Sequence, residues 1–341
     1  MSISSSLKPN DMIPSGITLL NLAGSDSLYG AFPLGKTINI IGDSSSGKTM
    51  LCLTILAEMC TRKRFDAHTL IYDDVECALE MNIPYLFGES LNNRLLPPNY
   101  DKDKEPNYSN SIEELYVNIM SFVNKGIPFI YVIDSLDALT SMEDHEQTQK
   151  LIKQIRTGKT STGSYQMAKP KLLSKMLRVL KKKIDQTNSF VIVVSQTRDN
   201  IGGFSSRTRA GGRALKFYCA YEIWLSHIKQ IKQSDRVIGN ETRLIITKNK
   251  ITGKVRDIQF CIYYDYGIDD IKANVHFLIE NKVWEIKDKT IHAPTLGIEG
   301  TINKIIKHIE SNNLEKQVRI ETSQAWNAIE NSLKLHRKNK Y

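Results

Sequence analysis

Between an apolar run and an amphipathic segment lies Gly42-Asp43-Ser44-Ser45-Ser46-Gly47-Lys48-Thr49, a complete G-x-x-x-x-G-K-[ST] string. Before it, Thr37-Ile38-Asn39-Ile40-Ile41 reads as a buried strand, and after it Met50 to Leu56 reads as the first turns of a helix. A strand, a glycine-bearing turn and a helix N-terminus in that order make a phosphate cradle. The glycines let the backbone fold tightly, its N–H groups face the anion, and the helix end adds partial positive charge. The pattern predicts a bound nucleoside triphosphate held by Gly42, Asp43, Ser44, Ser45, Ser46, Gly47, Lys48 and Thr49. Lys48 is expected to reach the β- and γ-phosphates, and the Thr49 hydroxyl to ligate Mg²⁺.

At 341 residues the chain has room for one large α/β domain and a smaller companion. Its formal charge of +9 points to an anionic partner, provided the cations cluster. Cys52, Cys60, Cys77, Cys219 and Cys261 are scattered and odd in number, which excludes a disulfide framework and predicts small core residues in a reducing compartment. The first residues have no apolar signal core, and no run is long enough to span a bilayer, so a cytoplasmic protein without a membrane partner is expected. The histidines show no metal-ligand spacing.

Strand-like runs recur at His68 to Asp73, Pro128 to Asp134, Phe190 to Gln196, Tyr221 to Ser226, Arg243 to Lys248 and Ile258 to Tyr264. Ser111-Ile112-Glu113-Glu114 has capping-box form and opens a helix to about Val123. Lys169 to Ile184 places Leu172, Leu173, Met176, Leu177, Leu180 and Ile184 on one helical face, with lysines 181 to 183 reading as a solvated face. Strands alternating with helices predict an α/β fold with a mainly parallel, doubly wound sheet. The last two strands, joined at Ile251-Thr252-Gly253-Lys254, add an antiparallel extension. Pro97 to Asn110, Glu143 to Lys169 and Asp199 to Gly212 read as loops, the last rich in Gly, Arg and Ser. After Asp269 a small C-terminal α/β region follows, with a helix near Ile302 to Ile309.

The run Phe129 to Asp134 ends a buried strand in a carboxylate, which suits Asp134 to the Mg²⁺ shell. Ile71-Tyr72-Asp73-Asp74-Val75-Glu76-Cys77-Ala78-Leu79-Glu80 is a second strand ending in acids, one of which can activate water. Spacing alone does not choose among them.

Several strings resemble the RecA family of recombinases, including its phage UvsX-type members. Ile13-Pro14-Ser15-Gly16-Ile17-Thr18-Leu19-Leu20, followed by Phe32-Pro33-Leu34-Gly35-Lys36, is similar to the family's approach to its phosphate loop. Asp74-Val75-Glu76-Cys77-Ala78-Leu79 resembles its D-A-E-H-A-L string, which would give Glu76 the water-activating role. Ile133 to Leu139 resembles its magnesium-site strand. Ser195-Gln196-Thr197-Arg198 is similar to its γ-phosphate sensor, implying that role for Gln196. Gly211-Gly212-Arg213-Ala214-Leu215-Lys216-Phe217-Tyr218 resembles the end of its second DNA-binding loop. Thr247-Lys248-Asn249-Lys250 resembles the segment whose two lysines reach ATP on a neighbouring protomer.

The resemblance implies a RecA-like ATPase core over residues 13–268, after a short segment 1–12 and before a C-terminal domain 269–341. DNA-binding loops are expected near 143–169 and 198–213. In the second loop Arg198, Arg207, Arg209 and Arg213 neutralise phosphates, Gly202, Gly203, Gly211 and Gly212 permit close approach, and Phe204 stacks on or separates bases. In the first, Lys150, Lys153, Arg156, Lys159 and Lys169 make the second half basic. Phe217 is expected in the core or at a protomer interface, and Ile3 to Leu7 is a candidate for a minimal docking strand. The implied protein is a DNA-dependent ATPase and strand-exchange recombinase. Its partners would be single-stranded DNA, homologous duplex DNA, further copies of itself, and a single-strand-binding protein or loader. A ring-forming DNA motor or a non-filamentous recombination mediator would share the same core.

Overall fold

Apolar residues that alternate along each central strand need cover on both sides of a sheet, and the helices between the strands supply it. The computed structural model describes residues 8–144, 146, 168–199, 207–209, 212–335 and 337. Strand β1 (Met12–Ile13), helix α1 (Thr18–Ser25) and β2 (Phe32–Pro33) lead into β3 (Thr37–Gly42), α2 (Lys48–Cys60) and β4 (Thr69–Asp74). Helices α3 (Ile83–Phe87) and α4 (Glu89–Arg94) precede β5 (Leu95–Leu96). The segment read as a polar loop after Pro97 carries a short antiparallel pair, β6 (Asn99–Tyr100) with β7 (Pro106–Asn107). Then come α5 (Ile112–Lys125), β8 (Phe129–Asp134), α6 (Ala168–Gln186) and β9 (Phe190–Asp199). After these run β10 (Arg207–Arg209), α7 (Gly212–Tyr218), β11 (Tyr221–Gln233), β12 (Arg236–Asn249), β13 (Arg256–Tyr263) and β14 (Gly267–Asp269).

One sheet has the order β14-β13-β12-β11-β3-β9-β8-β4-β5. From β11 to β5 every neighbouring pair is parallel, and from β11 to β14 every pair is antiparallel. The expected parallel sheet with an antiparallel extension is therefore present. Ile130 and Val132 of β8 pack on one face with Leu51, Ile55 and Leu56 of α2. Phe129, Tyr131 and Ile133 pack on the other with Leu115 and Ile119 of α5 and Leu173, Leu177 and Leu180 of α6. The capping box at α5 is offset by one residue. Ser111 Oγ accepts from Glu114 N, but the glutamate side chain accepts from Asn110 N at 2.8 Å.

Two readings need correction. The strands read as Tyr221 to Ser226 and Arg243 to Lys248 extend into one long hairpin, closed by Ser234 and Asp235 at φ 46° and 64°. And Asp199 to Gly212 is not irregular throughout. β9 runs on to Asp199, and β10 returns antiparallel to it, pairing Arg207 with Asp199, Thr208 with Arg198 and Arg209 with Thr197.

Beyond β14, α8 (Asp270–Glu280), the antiparallel strands β15 (Glu285–Lys287), β16 (Thr290–Ala293) and β17 (Ile298–Gly300), α9 (Ile302–Ser311) and α10 (Glu315–Ser332) enclose a separate core around the buried Trp284. Helix α10 returns to the main body. There Arg256 pairs with Asp26 at 3.0 Å and Glu330 at 2.8 Å, and its guanidinium lies 5.0 Å from the Trp326 ring. No helix among the described residues is long and apolar enough to cross a membrane.

Candidate functional site

The carboxyl edge of the sheet gathers the ends of β3, β9, β8 and β4. Gly42 closes β3, where a Cβ would meet Ser46 Oγ at 2.4 Å and the Leu225 carbonyl oxygen at 2.7 Å. Gly47 caps α2 at φ 95°, and a Cβ there would lie 2.4 Å from Ile262. Both positions require glycine. Ser46 Oγ is buried without a hydrogen-bond partner. The Lys48 ammonium is turned back onto the loop, donating to the Gly42 carbonyl at 3.0 Å and the Asp43 carbonyl at 2.7 Å. Burial pushes this ammonium below its ordinary pKa, against the opposing pull of Asp134, Glu76 and Asp43. An orphaned hydroxyl, a buried cation satisfied only by neutral carbonyls and a helix N-terminus fit a polyphosphate, whose charge-assisted bonds are about twice as strong as those to carbonyls.

Beside the loop, Thr49 Oγ1 and Tyr72 OH both donate to Asp134 Oδ2 at 2.6 Å. Burial raises the Asp134 carboxyl above its ordinary range, opposed chiefly by those two hydroxyls. A hydroxyl and a carboxylate side by side are hard oxygen donors that fit Mg²⁺, which keeps several waters and needs few protein ligands. Among the described residues no group of three or more His, Cys, Asp or Glu forms a cage for a metal.

The acidic cluster after β4 separates by environment. Asp73 is buried and accepts from Ser109 N, Ser109 Oγ and Tyr131 OH. Asp74 accepts from the backbone N–H groups of Ala78 and Leu79, holding the turn. Glu80 is exposed. Glu76 faces the other strands: Ser135 Oγ and Gln196 Nε2 both donate to its Oε1, the latter at 3.0 Å. Gln196 N also donates to Asp137 at 2.8 Å, and Thr197 Oγ1 donates to Asp43 of the phosphate loop. Tyr72, Ser135 and Thr197 were not singled out from the sequence. Tyr72 had a signal, because a tyrosine inside a buried strand needs a partner for its hydroxyl.

From Gln196 the same strand continues into the β9–β10 hairpin, whose backbone carries Arg198, Arg207 and Arg209. Arg213 and Gly212 lie in the first turn of α7. Gly202, Gly203, Phe204 and Gly211, most of the 143–169 insertion with Lys150, Lys153, Arg156 and Lys159, and Ile3 to Leu7 lie outside the described residues. Lys169 is described, and its ammonium donates to the carbonyls of Asp137 and Leu139.

Lys248 and Lys250 sit at the other end of the sheet. Lys248 is in register with Glu222, and Glu222 with Asn39, near the start of β3. About 10 Å of strand separates that position from the start of the phosphate loop. Both ammonium groups donate to carbonyls at the C-terminal end of α7, Lys248 to Lys216 and Lys250 to Phe217 at 3.1 Å. Phe217 is 70% exposed, so the core half of its reading is wrong. Cys77 is exposed too, unlike the buried Cys52, Cys219 and Cys261.

The family model of the RecA N-terminal domain matches residues 4–269. The chain belongs to the RecA family. It is 32% identical over 244 residues to Protein RecA of Caulobacter sp. (strain K31), covering 71% of this chain and 61% of that relative. It is 31% identical over 263 residues to Protein RecA of Delftia acidovorans, covering 75% and 65%. Protein RecA of Oleidesulfovibrio alaskensis is 32% identical over 277 residues, covering 80% and 71%. The chain thus spans about three fifths to seven tenths of the length of these RecA relatives.

Proposed function

We propose that this chain is an ATP-dependent DNA strand-exchange recombinase that assembles on single-stranded DNA, pairs it with homologous duplex DNA, and hydrolyses ATP to release it. The observation that carries this reading is the Gln196–Glu76 hydrogen bond at the base of the arginine-bearing β9–β10 hairpin. Residues 13–268 serve as the ATPase core, and 269–341 as an appended domain.

In the hydrolytic step Lys48 turns from the loop carbonyls to the β- and γ-phosphates. Thr49 and Asp134 would hold Mg²⁺, which when bound would supply charge neutralisation at the phosphate oxygens. Glu76 orients the attacking water and accepts its proton. The Gln196 amide exchanges Glu76 for the γ-phosphate, which frees the carboxylate for that role and pulls on the strand that leads to the DNA hairpin. Lys248 and Lys250 are too far along the sheet to serve their own phosphate loop, so they complete the site of a neighbouring copy, arranged head to tail.

ATP hydrolysis measured with and without single-stranded DNA tests the reading. DNA is expected to stimulate turnover, and Glu76→Gln to lower kcat by about 100-fold or more with nucleotide binding retained. Turnover indifferent to DNA, with Glu76→Gln fully active, would sink it. Closed rings in electron micrographs would favour a DNA motor instead, and failure to coat a long single strand would favour a mediator.

A further inference from the structure

The turn that joins β12 to β13 carries Lys250, and both of its feet are fastened to the C-terminal end of α1. On the near side Asn249 donates through Nδ2 to the Gly24 carbonyl at 2.8 Å, while its Oδ1 accepts from Ile251 N and Thr252 N. On the far side Lys254 and Arg256 pair with Asp26 at 3.2 and 3.0 Å. The C-terminal domain reaches the same place through α10. Glu330 pairs with Lys254 at 2.7 Å and with Arg256 at 2.8 Å, and Trp326 Nε1 donates to Asp26 Oδ1 at 3.3 Å. The Lys254 side chain is 43% exposed, so its pairs are weak alone, whereas Arg256 at 9% leaves a poorly solvated charge behind if a carboxylate is lost. Burial works against the charge on Asp26, yet Arg256 and Trp326 hold its carboxyl below the ordinary range. The same helix grips the other end of α1. Thr18 N and Oγ1 donate to Asp270, and Arg319 of α10 pairs with that carboxylate at 3.1 Å.

We infer that α10, through Glu330 and Trp326, is a positioning element for Lys250, so that the seating of one copy's C-terminal domain sets hydrolysis at the site of the next copy. The inference rests on the role proposed above for Lys248 and Lys250 in a neighbour's site, and it adds a control to that role. Lys250 has to place an ammonium at a phosphate on another molecule, and a misplacement of about 1 Å at a reacting centre costs rate. Its own N–H is held by the Ala220 carbonyl at 3.0 Å, and the rest of the turn depends on the contacts with α1 and α10. Asp26, Lys254, Arg256, Trp326 and Glu330 all lie outside the phosphate loop and the strand ends around it. Loosening them therefore disturbs the cation a copy gives to its neighbour and leaves its own nucleotide site intact.

Mixed assemblies of the full-length chain test this, with ATP, Mg²⁺ and single-stranded DNA in excess. Glu76→Gln copies keep their lysines but cannot use their own site; Lys248→Ala/Lys250→Ala copies keep a site but give no cations. Neither should turn over alone, and a mixture should regain hydrolysis. Glu330→Gln is then added to one component at a time. In the Glu76→Gln copies it is expected to lower the regained kcat about fivefold with the KM for ATP unchanged. In the Lys248→Ala/Lys250→Ala copies it should have no effect. Misfolding or poor assembly would depress both arms alike, so only a positioning role predicts the asymmetry. If the loss is equal in both arms, confined to the second or absent from both, the inference falls while the role of the lysines stands. If the mixture regains no hydrolysis, the role of the lysines falls and takes the inference with it.

Discussion

Asp134 is a carboxylate in a place that disfavours its charge. Burial raises its pKa above the ordinary 3.8, and among the described residues only neutral hydroxyls, Thr49 and Tyr72, hydrogen-bond the acid directly. A carboxyl whose folded pKa exceeds its unfolded value binds protons more readily when folded, so it lowers stability as pH rises above the ordinary value. Asp134→Asn keeps an oxygen for both hydroxyls and removes the charge. Thermal unfolding without metal or nucleotide should therefore show the variant melting higher than wild type at neutral pH, with the gap closing as pH falls toward 3.8. With Mg²⁺ and ATP the order should reverse, because only wild type gains the full binding free energy. A variant no more stable than wild type at neutral pH would show that the carboxylate is not strained by its site. Gln196 makes a second residue-level prediction. Gln196→Ala should leave basal hydrolysis within a few fold of wild type but abolish its stimulation by DNA, and full stimulation would contradict the coupling.

Which elements were legible depended on whether burial or pairing made them. Strands β3, β4 and β8 stand out as apolar runs because both sheet faces are covered, and α6 because its apolar stripe is unbroken. The outer half of the β11–β12 hairpin was missed because Lys229, Gln230, Lys232 and Gln233 are exposed and show no alternation; backbone pairing and a Lys229–Glu241 ion pair at 2.9 Å hold them in the ladder. Glu76 was indistinguishable from its acidic neighbours for a related reason. Its partners Ser135 and Gln196 lie 59 and 120 residues downstream, so only the assembled sheet brings them to it. The hairpin end also carries a prediction. Ser234 and Asp235 turn the chain at positive φ without a glycine, and Asp235→Gly should relieve roughly 1 kcal/mol of backbone strain. Amide exchange in residues 227–242 should slow in that variant, whereas faster exchange would mean that the aspartate side chain holds the turn.

At the scale of the molecule, charge is arranged in local clusters. The formal +9 is unevenly distributed: carboxylates crowd the ends of β4 and β8, and lysines crowd the start of β3 and the end of α6. Binding to single-stranded DNA should weaken steeply with salt if the arginine hairpin contacts phosphates, since each contact releases condensed counterions. A flat salt response in a fluorescence titration would remove that hairpin from the interface. The separation of the phosphate loop from Lys248 and Lys250 along one sheet has a further consequence for any row of copies. If Lys248 and Lys250 complete a neighbour's site as proposed, such a row holds one fewer complete site than it has members. The last copy at one end keeps a nucleotide that nothing finishes, and the last copy at the other offers cations to no one. Turnover per copy should therefore climb with length toward a plateau, and short rows should be slow by arithmetic alone.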